Sequence, residues 1–273
     1  MMKLLTLNAH SWLEAFQEEK IDQIVAQIIK GDYDIIALQE VNQLIENESI
    51  VNDKYYCSGN DDIQIKDDNF AYIIVQKLKV QGYDYYFSYA MSHIGYDKYE
   101  EGSAILSKSP IKPYSEFVST YQSPDNYRSR KILFGETTVN GKSFVVASCH
   151  FSWWVSEKYG FSHEWTNTQK ILDQYDHPLI VMGDFNNPEG TEGYNFVLEN
   201  SGLLDAYNEA EVKHGHHTIE KNIAGWESNG GKLRIDFIFT SKGFNVLSSK
   251  TVFDDVNAPI VSDHFGVEVE ITE

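Results

Sequence analysis

The chain lacks most of the features that mark specialised classes of protein. Its 273 residues include only two cysteines, Cys57 and Cys149, too few for a disulfide framework or a cysteine-based zinc site, so we expect a reducing compartment. No apolar run reaches the roughly 18–20 residues that a membrane-spanning helix needs. The apolar start of the chain meets Asn8 and His10 too soon to be a signal peptide. We therefore expect a cytoplasmic protein without membrane insertion.

Positive charge is also scarce. The sequence has 22 Lys and Arg residues against 41 Asp and Glu residues, a formal net charge of −19. Broad binding to DNA depends on the neutralisation of phosphates by Lys and Arg, and anionic membranes repel an acidic protein in the same way. This balance argues against a general nucleic-acid binder, but it leaves open a nucleic-acid enzyme with a local basic cleft or bound cations.

What is present is an ordinary globular composition, with 42% hydrophobic and 23% charged residues. No internal repeat and no linker rich in Pro, Gly or Ser divides the sequence. We therefore expect one domain over residues 1–273, and a monomer.

The spacing of apolar residues predicts many strands and a few helices. The predicted strands are 4–7, 35–38, 83–89, 102–107, 132–139, 143–150, 179–182, 233–240, 244–253 and 265–271. The predicted helices are 16–29, 70–79, 163–175 and 193–200. A capping box of Ser11 and Glu14 is expected to open the first helix and Gly31 to end it, and Asn140-Gly141 predicts a hairpin. This pattern favours an α/β fold in which two mixed β-sheets pack face to face with helices outside, a four-layer α/β/β/α sandwich.

Polar residues that can do chemistry stand where the apolar strands begin or end. They are Asn8, Glu40, His150, Asp184, Asn186, Asp263 and His264, with Asp236 inside an otherwise apolar strand. Each alone has an ordinary explanation as a loop acid, a turn residue or a core histidine. As a set they match what metal-assisted hydrolysis of a phosphoester requires: oxygen ligands for a divalent cation, a base for water and donors for the phosphoryl oxygens.

Four short segments resemble the signatures of the endonuclease/exonuclease/phosphatase superfamily, whose fold is DNase I-like. They are Leu38-Gln39-Glu40-Val41, Gly183-Asp184-Phe185-Asn186, 234–239 and Ser262-Asp263-His264-Phe265. Asn8, the segment 101–107 and Ser148-Cys149-His150 follow the family's order too, so the resemblance spans residues 3 to 270. It implies an Mg²⁺-dependent phosphoesterase, with Mn²⁺ as a possible substitute.

The resemblance also implies roles for the central residues. Glu40 would bind Mg²⁺, with Asn8 beside it. Asp184 would orient or deprotonate the attacking water, and Asn186 would position water or a phosphoryl oxygen. His264, held by Asp236, would contact the phosphate and take part in proton transfer.

Three further residues carry implied roles of their own. Asp263 would be another acid near the metal. His150 matches the second histidine of the DNase I, sphingomyelinase and deadenylase branches, and Glu101 would orient His150.

Several departures separate the chain from the exonuclease III branch. That branch has an acid where this chain has His10, Thr and Lys where it has Val41 and Asn42, and a Tyr-x-Pro-Asn segment at residues 149–153. We therefore expect no repair of abasic DNA and a closer likeness to the sphingomyelinase, deadenylase and phosphodiesterase branches. The leading interpretation is an intracellular phosphodiesterase or phosphatase of an organic phosphate. The alternatives are a nuclease acting on RNA or DNA and, less favoured, a non-catalytic binding protein.

Other residues are candidates for substrate binding. Arg128 and Arg130 stand out in a chain with few cations because an Arg can hold a phosphate with two parallel hydrogen bonds, although a surface salt bridge is the simpler alternative. Trp153 follows His150 closely and either lines the site or packs in the core. The acidic segment 45–69 is expected to be a solvated loop, with a cation site or a lid as the alternative. The cluster His214, His216 and His217 is expected in a flexible loop, with a transition-metal site as the alternative.

Overall fold

Two β-sheets lie face to face in the computed structural model, which describes residues 1–50, 53–61, 63–153, 160–220 and 231–272. The strands are β1 (Met2–Asn8), β2 (Ile35–Leu44), β3 (Tyr86–Gly95), β4 (Tyr99–Ser107), β5 (Lys112–Phe117), β6 (Lys131–Val139), β7 (Lys142–His150), β8 (Leu179–Asp184), β9 (Leu204–Asp205), β10 (Val212–His214), β11 (Asp236–Thr240), β12 (Asn245–Val252) and β13 (Gly266–Thr272). The helices are α1 (Gln17–Gly31), α2 (Phe70–Val80), α3 (Phe161–Leu172), α4 (Glu192–Ser201) and α5 (Ala206–Glu209).

The middle strands of the two sheets face each other, since β1 and β2 contact β7 and β8. The first sheet runs β10-β12-β13-β1-β2-β4-β3 and the second runs β5-β6-β7-β8-β11-β9. Strands β1 and β2 are parallel, as are β7 and β8, whereas β11 is antiparallel to β8 and β13 to β1. The predicted mixed sheets are therefore confirmed.

The apolar side chains form three layers of core. In β1, Leu5 and Leu7 pack under α1 and α2, whereas Leu4 packs between the two sheets against residues such as Ile180. Phe237 on β11 belongs to the third layer, which α3 and α4 cover. This alternation follows from the two-residue repeat of a strand. It confirms the four-layer α/β/β/α sandwich.

The Asn140-Gly141 hairpin joins β6 to β7 as expected. Both residues have positive φ, 51° for Asn140 and 79° for Gly141, the conformation that a tight two-residue hairpin turn requires. No helix among the described residues is long and apolar enough to cross a membrane.

The predicted capping box is wrong. The Ser11 hydroxyl donates to the backbone oxygen of Glu40 at 2.6 Å and accepts from the backbone N–H of Asn42 at 2.8 Å. Helix α1 instead follows Phe16, which has a left-handed conformation and no side-chain cap. The Ser11 hydroxyl therefore forms tertiary hydrogen bonds with β2 instead of capping α1.

Some strand predictions also need correction. Strand β11 begins at Asp236 rather than at Leu233, which pairs with Ile219 in an isolated bridge, so Asp236 opens the strand instead of lying within it. Strand β5 was not predicted, because its sequence is polar and contains Pro113, a residue tolerated on the edge of a sheet.

The segment 45–69 is not simply a solvated loop, although 51, 52 and 62 lie outside the described residues. Tyr55 and Ile65 are buried and pack with the core under the helices. Asp61 pairs with Lys131 at 2.9 Å. Tyr55 and Ile65 are thus part of the helix-covered face of the first sheet, whereas Asp61 reaches β6 of the second sheet.

Candidate active site

The predicted residues converge at one edge of the sandwich. Asn8 ends β1, while His150 and Asp184 stand opposite each other at the ends of β7 and β8. Asp236 begins β11 directly opposite Asp184. Parallel neighbours end at the same edge of their sheet, and the face-to-face packing brings the two edges together. His264, which precedes β13, reaches the same place.

Local backbone geometry aims two of these side chains. Glu40 has a φ of 48° and lies at an irregularity in the pairing of β2 with β4, and Asn186 has a φ of 50°. Left-handed conformations are uncommon for residues other than glycine and cluster at functional sites. Gly183, which directly precedes Asp184, has a φ of 142°, and a Cβ at this position would lie 2.0 Å from the Cys149 carbonyl oxygen. Only glycine allows β7 and β8 to approach so closely beside Asp184.

A buried polar chain ties the two sheets together beneath the site. Gln39 on β2 donates to the Ser148 hydroxyl on β7 at 3.1 Å, and this hydroxyl lies 3.2 Å from the Leu38 carbonyl oxygen. Thr6 on β1 donates to Gln39 at 3.3 Å. These bonds fix the relative position of the strands that carry Asn8, Glu40 and His150.

Asn8 lies between two carboxylates. Its amide nitrogen donates to Glu40 Oε1 at 2.8 Å and to Asp184 Oδ2 at 3.1 Å, while its oxygen accepts from the backbone N–H of His10 at 3.2 Å. The backbone N–H of Asn186 holds the other oxygen, Asp184 Oδ1, at 2.8 Å. Burial and the charge of Asp236 raise the pKa of Asp184 above its usual range. A carboxylate with a raised pKa and a fixed orientation suits the role of a base toward water.

Asp236 and His264 form a buried pair. His264 Nδ1 lies 2.9 Å from Asp236 Oδ2 and 3.2 Å from Asp236 Oδ1, and His264 Nε2 lies 3.8 Å from Asp184 Oδ2. Burial alone would lower the pKa of His264, but the charges of Asp236 and Asp184 outweigh it and hold this pKa well above its usual value. The pair therefore presents a protonated imidazole whose Nε2–H faces the cleft.

Thr218 positions this pair and was not predicted. Its buried hydroxyl lies 3.1 Å from the backbone nitrogen of Ile235 and 3.2 Å from that of Asp236, and its carbonyl oxygen accepts from the Phe265 N–H at 2.7 Å. One residue thus holds the start of β11 and the segment after His264. Nothing in the local sequence marks a threonine in this role, because its partners are 17 and 18 residues away or more.

His150 completes a set of groups that can hold a metal. Its Nε2 lies 3.9 Å from Glu40 Oε1 and 3.8 Å from Asp184 Oδ2. Burial, reinforced by the charge of Arg130, lowers the pKa of His150 well below its usual value, so the ring is neutral and has a lone pair for a cation. One ligand atom from each of Glu40, His150 and Asp184 lies within 4.8 Å of the others. The two carboxylates fit Mg²⁺ or Mn²⁺, which prefer oxygen ligands, whereas an imidazole is a more usual ligand of softer transition metals.

The opposite side of the cleft carries what we call the polar wall: His93, Glu101 and Arg130. All three are buried and line the cleft. Glu101 Oε1 lies 3.4 Å from His93 Nε2, so the structure puts Glu101 against His93 rather than against His150. His93 was not predicted as a site residue, because the predicted strand stopped at Tyr89 whereas β3 continues to Gly95.

Asp263 lies at the mouth of the same cleft, on the side of His10. His10 Nδ1 is 3.7 Å from Asp263 and 2.7 Å from Glu14, which also pairs with Lys20. Although burial lowers it, the pKa of His10 is raised to about 8 by the Glu14 hydrogen bond and the charges of Asp263 and Glu40. Asp263 thus faces a cation rather than the group formed by Glu40, His150 and Asp184.

The remaining candidates divide between the cleft and the surface. Arg130 and the half-exposed Trp153 line the cleft, whereas Arg128 is exposed and lies over the Tyr127 ring. His216 pairs with Glu189, and His217 pairs with Glu220. The three histidines therefore do not converge on one metal site within the described residues.

Comparison with known proteins gives a consistent result. The family model described as "Endonuclease/Exonuclease/phosphatase family" matches residues 13–264. A solved structure of an endonuclease/exonuclease/phosphatase family protein from Leptotrichia buccalis is 36% identical, with all of both chains covered and a TM-score of 0.87. No curated protein matches the chain.

More distant structures share the fold. A mannosyl-6-phosphatase from Bacteroides thetaiotaomicron is 18% identical, with 100% of each chain covered and a TM-score of 0.70. The human nocturnin catalytic domain, solved with a bound sulfate anion, is 19% identical, with 99% of this chain and 93% of that chain covered and a TM-score of 0.64.

Proposed function

The chain belongs to the endonuclease/exonuclease/phosphatase family, and from this premise we propose that it is a metal-dependent phosphoesterase that hydrolyses a small organic phosphate ester by attack of water. The observation that carries the proposal is the position of Asp184. Its Oδ2 lies 3.8 Å from both His150 Nε2 and His264 Nε2. Asp184 therefore belongs to the group that can hold a cation, and it also lies next to the His264–Asp236 pair.

Glu40, Asp184 and His150 would hold the cation, Mg²⁺ or its substitute Mn²⁺, with Asn8 orienting the two carboxylates. When bound, the cation supplies positive charge that polarises the phosphoryl group and neutralises the charge that develops on the leaving oxygen. Asn8 would lie beside the cation, as predicted, whereas Asp263, 3.7 Å from His10, would act at the mouth of the cleft.

The other steps belong to side chains. Asp184, held at Oδ1 by the Asn186 N–H, accepts a proton from the water as its oxygen attacks phosphorus. Asn186 and the Nε2–H of His264 contact the phosphoryl oxygens. The bond between phosphorus and the alcohol oxygen breaks, and His264 Nε2 gives its proton to the leaving alcohol oxygen. Asp236 keeps the ring of His264 oriented and favours its protonated form before this transfer. The proton that Asp184 took from water then returns to His264 Nε2, which lies 3.8 Å from Asp184 Oδ2.

The charge of the cleft favours a small ester over a nucleic acid. The cleft has a volume of about 270 Å³, and within the described residues its lining includes four carboxylates, one guanidinium and four imidazoles. Of the imidazoles, only His10 and His264 have a raised pKa. A nucleic-acid groove needs several cations along its length to neutralise phosphates. The formal net charge of −19 points the same way.

Mass spectrometry of reaction products tests the proposal. The purified protein, with Mg²⁺ and with chelator, is offered DNA, RNA, nucleotides, sugar phosphates and phospholipid esters. We expect products that disappear with chelator from one class of small ester. Chelator-sensitive cleavage of DNA or RNA alone would instead support the nuclease alternative, and steep loss of that activity with salt would strengthen it.

A further inference from the structure

The polar wall takes no part in the hydrolysis just described. His93, Glu101 and Arg130 are 7%, 6% and 8% exposed, yet each lines the cleft. Within the described residues, none of them forms a hydrogen bond with Glu40, Asp184 or His264. Apart from the contact between Glu101 and His93, these three buried polar side chains are available to bind a ligand in the cleft.

Two nitrogen atoms of the wall have no hydrogen-bond partner. They are Arg130 Nε and His93 Nδ1. Arg130 Nη1 donates to the carbonyl oxygens of Tyr127 at 3.0 Å and of Ser129 at 3.3 Å, and the guanidinium has no carboxylate within ion-pair distance in the described part of the chain. Leaving buried polar atoms unpaired costs stability, so their presence asks for an explanation, such as a ligand that satisfies them.

The chemistry of the wall is mixed. Arg130 can only donate hydrogen bonds, whereas a carboxyl and a neutral imidazole can both donate and accept. A second phosphate group would meet the Glu101 carboxyl as well as Arg130. Hydroxyl groups, which donate and accept together, match all three side chains.

The mouth of the cleft adds apolar ring faces. Tyr96, Tyr127 and Trp153 line it and are 62%, 64% and 38% exposed. Exposed aromatic rings offer flat apolar surface with a polar edge. The C–H faces of a ring that carries several hydroxyls are complementary to such a surface.

We propose that the polar wall binds the hydroxyl groups of a sugar-like alcohol, so that the substrate is a phosphate ester of a polyhydroxylated compound. This inference rests on the proposed function, since the wall would bind the alcohol part of the ester whose phosphate meets Asp184 and His264. The burial of the wall is consistent with it, because burial disfavours the charged forms of a carboxyl and an imidazole, and so raises the pKa of Glu101 and lowers that of His93.

Two matched esters test this proposal. A hexose 6-phosphate and n-hexyl phosphate both carry a primary phosphate monoester on six carbons, and they differ in the ring and its hydroxyls. With Mg²⁺, we expect kcat/KM for the hexose ester to be about 100-fold higher or more, because a site built to bind hydroxyls rejects an analogue without them. Glu101→Gln and Arg130→Lys should each lower this ratio about tenfold, while the exposed Glu199→Gln should not change it.

Other outcomes overturn the proposal. A ratio near one means that the wall does not recognise hydroxyls. Equal losses on both esters in Glu101→Gln would put Glu101 in the chemistry instead. A preference for a hexose 1,6-bisphosphate by tenfold or more over the monophosphate would make the wall an anion site.

A binding measurement separates this failure from failure of the proposed function. Calorimetry on Asp184→Asn with each of the two esters needs no turnover. Tighter binding of the hexose ester by about tenfold supports the polar wall even if no ester is hydrolysed. Equal binding refutes it even if hydrolysis is found.

Discussion

The two sides of the cleft treat buried polar groups in opposite ways. On one side, Asn8, Asp184, Asp236 and His264 have no buried side-chain nitrogen or oxygen atom without a hydrogen-bond partner. On the other, the polar wall leaves Arg130 Nε and His93 Nδ1 without partners. Chemistry needs groups that are already oriented before substrate arrives, and a fully bonded network provides this. Recognition needs groups that are still available, and the wall keeps them at a cost in stability.

The largest effect on kcat should come from removing the acid and the base on the oriented side of the cleft, His264 and Asp184. We expect His264→Ala and Asp184→Asn each to lower kcat about 1,000-fold or more with Mg²⁺, because such groups act as a unit. Steady-state kinetics on the ester found by mass spectrometry measures this. A thermal melt shows whether the fold survives, and Glu199→Gln serves as the control. Full activity in both variants would falsify the assignment of these residues.

Thr218 tests whether orientation depends on the surrounding hydrogen bonds. Thr218→Val keeps the shape but removes the acceptor of two backbone N–H groups, so we expect unfolding to become easier by about 1–3 kcal/mol. We also expect kcat to fall about tenfold, with the alkaline limb of its pH profile shifted as the His264–Asp236 pair loosens. KM should change little. Thr218→Ser keeps the hydroxyl and should restore most of kcat, and a serine variant as impaired as the valine variant would exclude the hydroxyl as the cause.

The cost of the polar wall is measurable as a dependence of stability on pH. The folded-state pKa of Glu101, about 8, lies above the usual value of 4.5 for a Glu carboxyl, because the group is buried. Below pH 4.5 the group is protonated in both the folded and the unfolded state. Between pH 4.5 and 8 only the unfolded state ionises, so the free energy of unfolding falls as pH rises.

Glu101→Gln should escape this loss. In chelator, we expect its free energy of unfolding to exceed that of the natural protein by up to about 5 kcal/mol above pH 8, with the gap closing toward pH 4.5. Denaturant titrations at several pH values measure it. A gap independent of pH would mean that Glu101 carries its charge at no cost.

The smallest effect compares the two arginines. Arg130 is buried in the cleft, whereas Arg128 is exposed and lies over Tyr127. We expect Arg130→Ala to raise KM for the substrate about tenfold and Arg128→Ala by less than about threefold, because an exposed cation interacts through water. A larger effect at Arg128 would move the binding surface outward from the polar wall.

The sequence predicted one side of the cleft much better than the other. Asp184 and His264 were found because they stand where apolar strands end or begin, and Asp236 was found because it interrupts an apolar run. His93 and Thr218 carry no such signal, since their importance arises from residues distant in the chain. The capping box failed for the same reason: Ser11 bonds to β2 rather than to the helix that follows it.

The layers of the fold were predictable from periodicity, but the exact limits of the strands were not. Strand β5 escaped detection because an edge strand can be polar and contain Pro113. Glu101 was expected beside His150. Because β3 is longer than predicted, His93 instead pairs with Glu101 on the neighbouring strand β4 and contacts it. Long-range packing decided both.

The convergence on Thr218 has a consequence for hydrogen exchange. The amide hydrogens of Ile235, Asp236 and Phe265 all bond to this one buried residue. Displacing Thr218 would expose all three at once, so we expect their exchange with deuterated solvent to follow a single local opening rather than three independent ones. The acid and base pair would then be dismantled in the same event, and activity would be lost in denaturant before the rest of the sandwich unfolds.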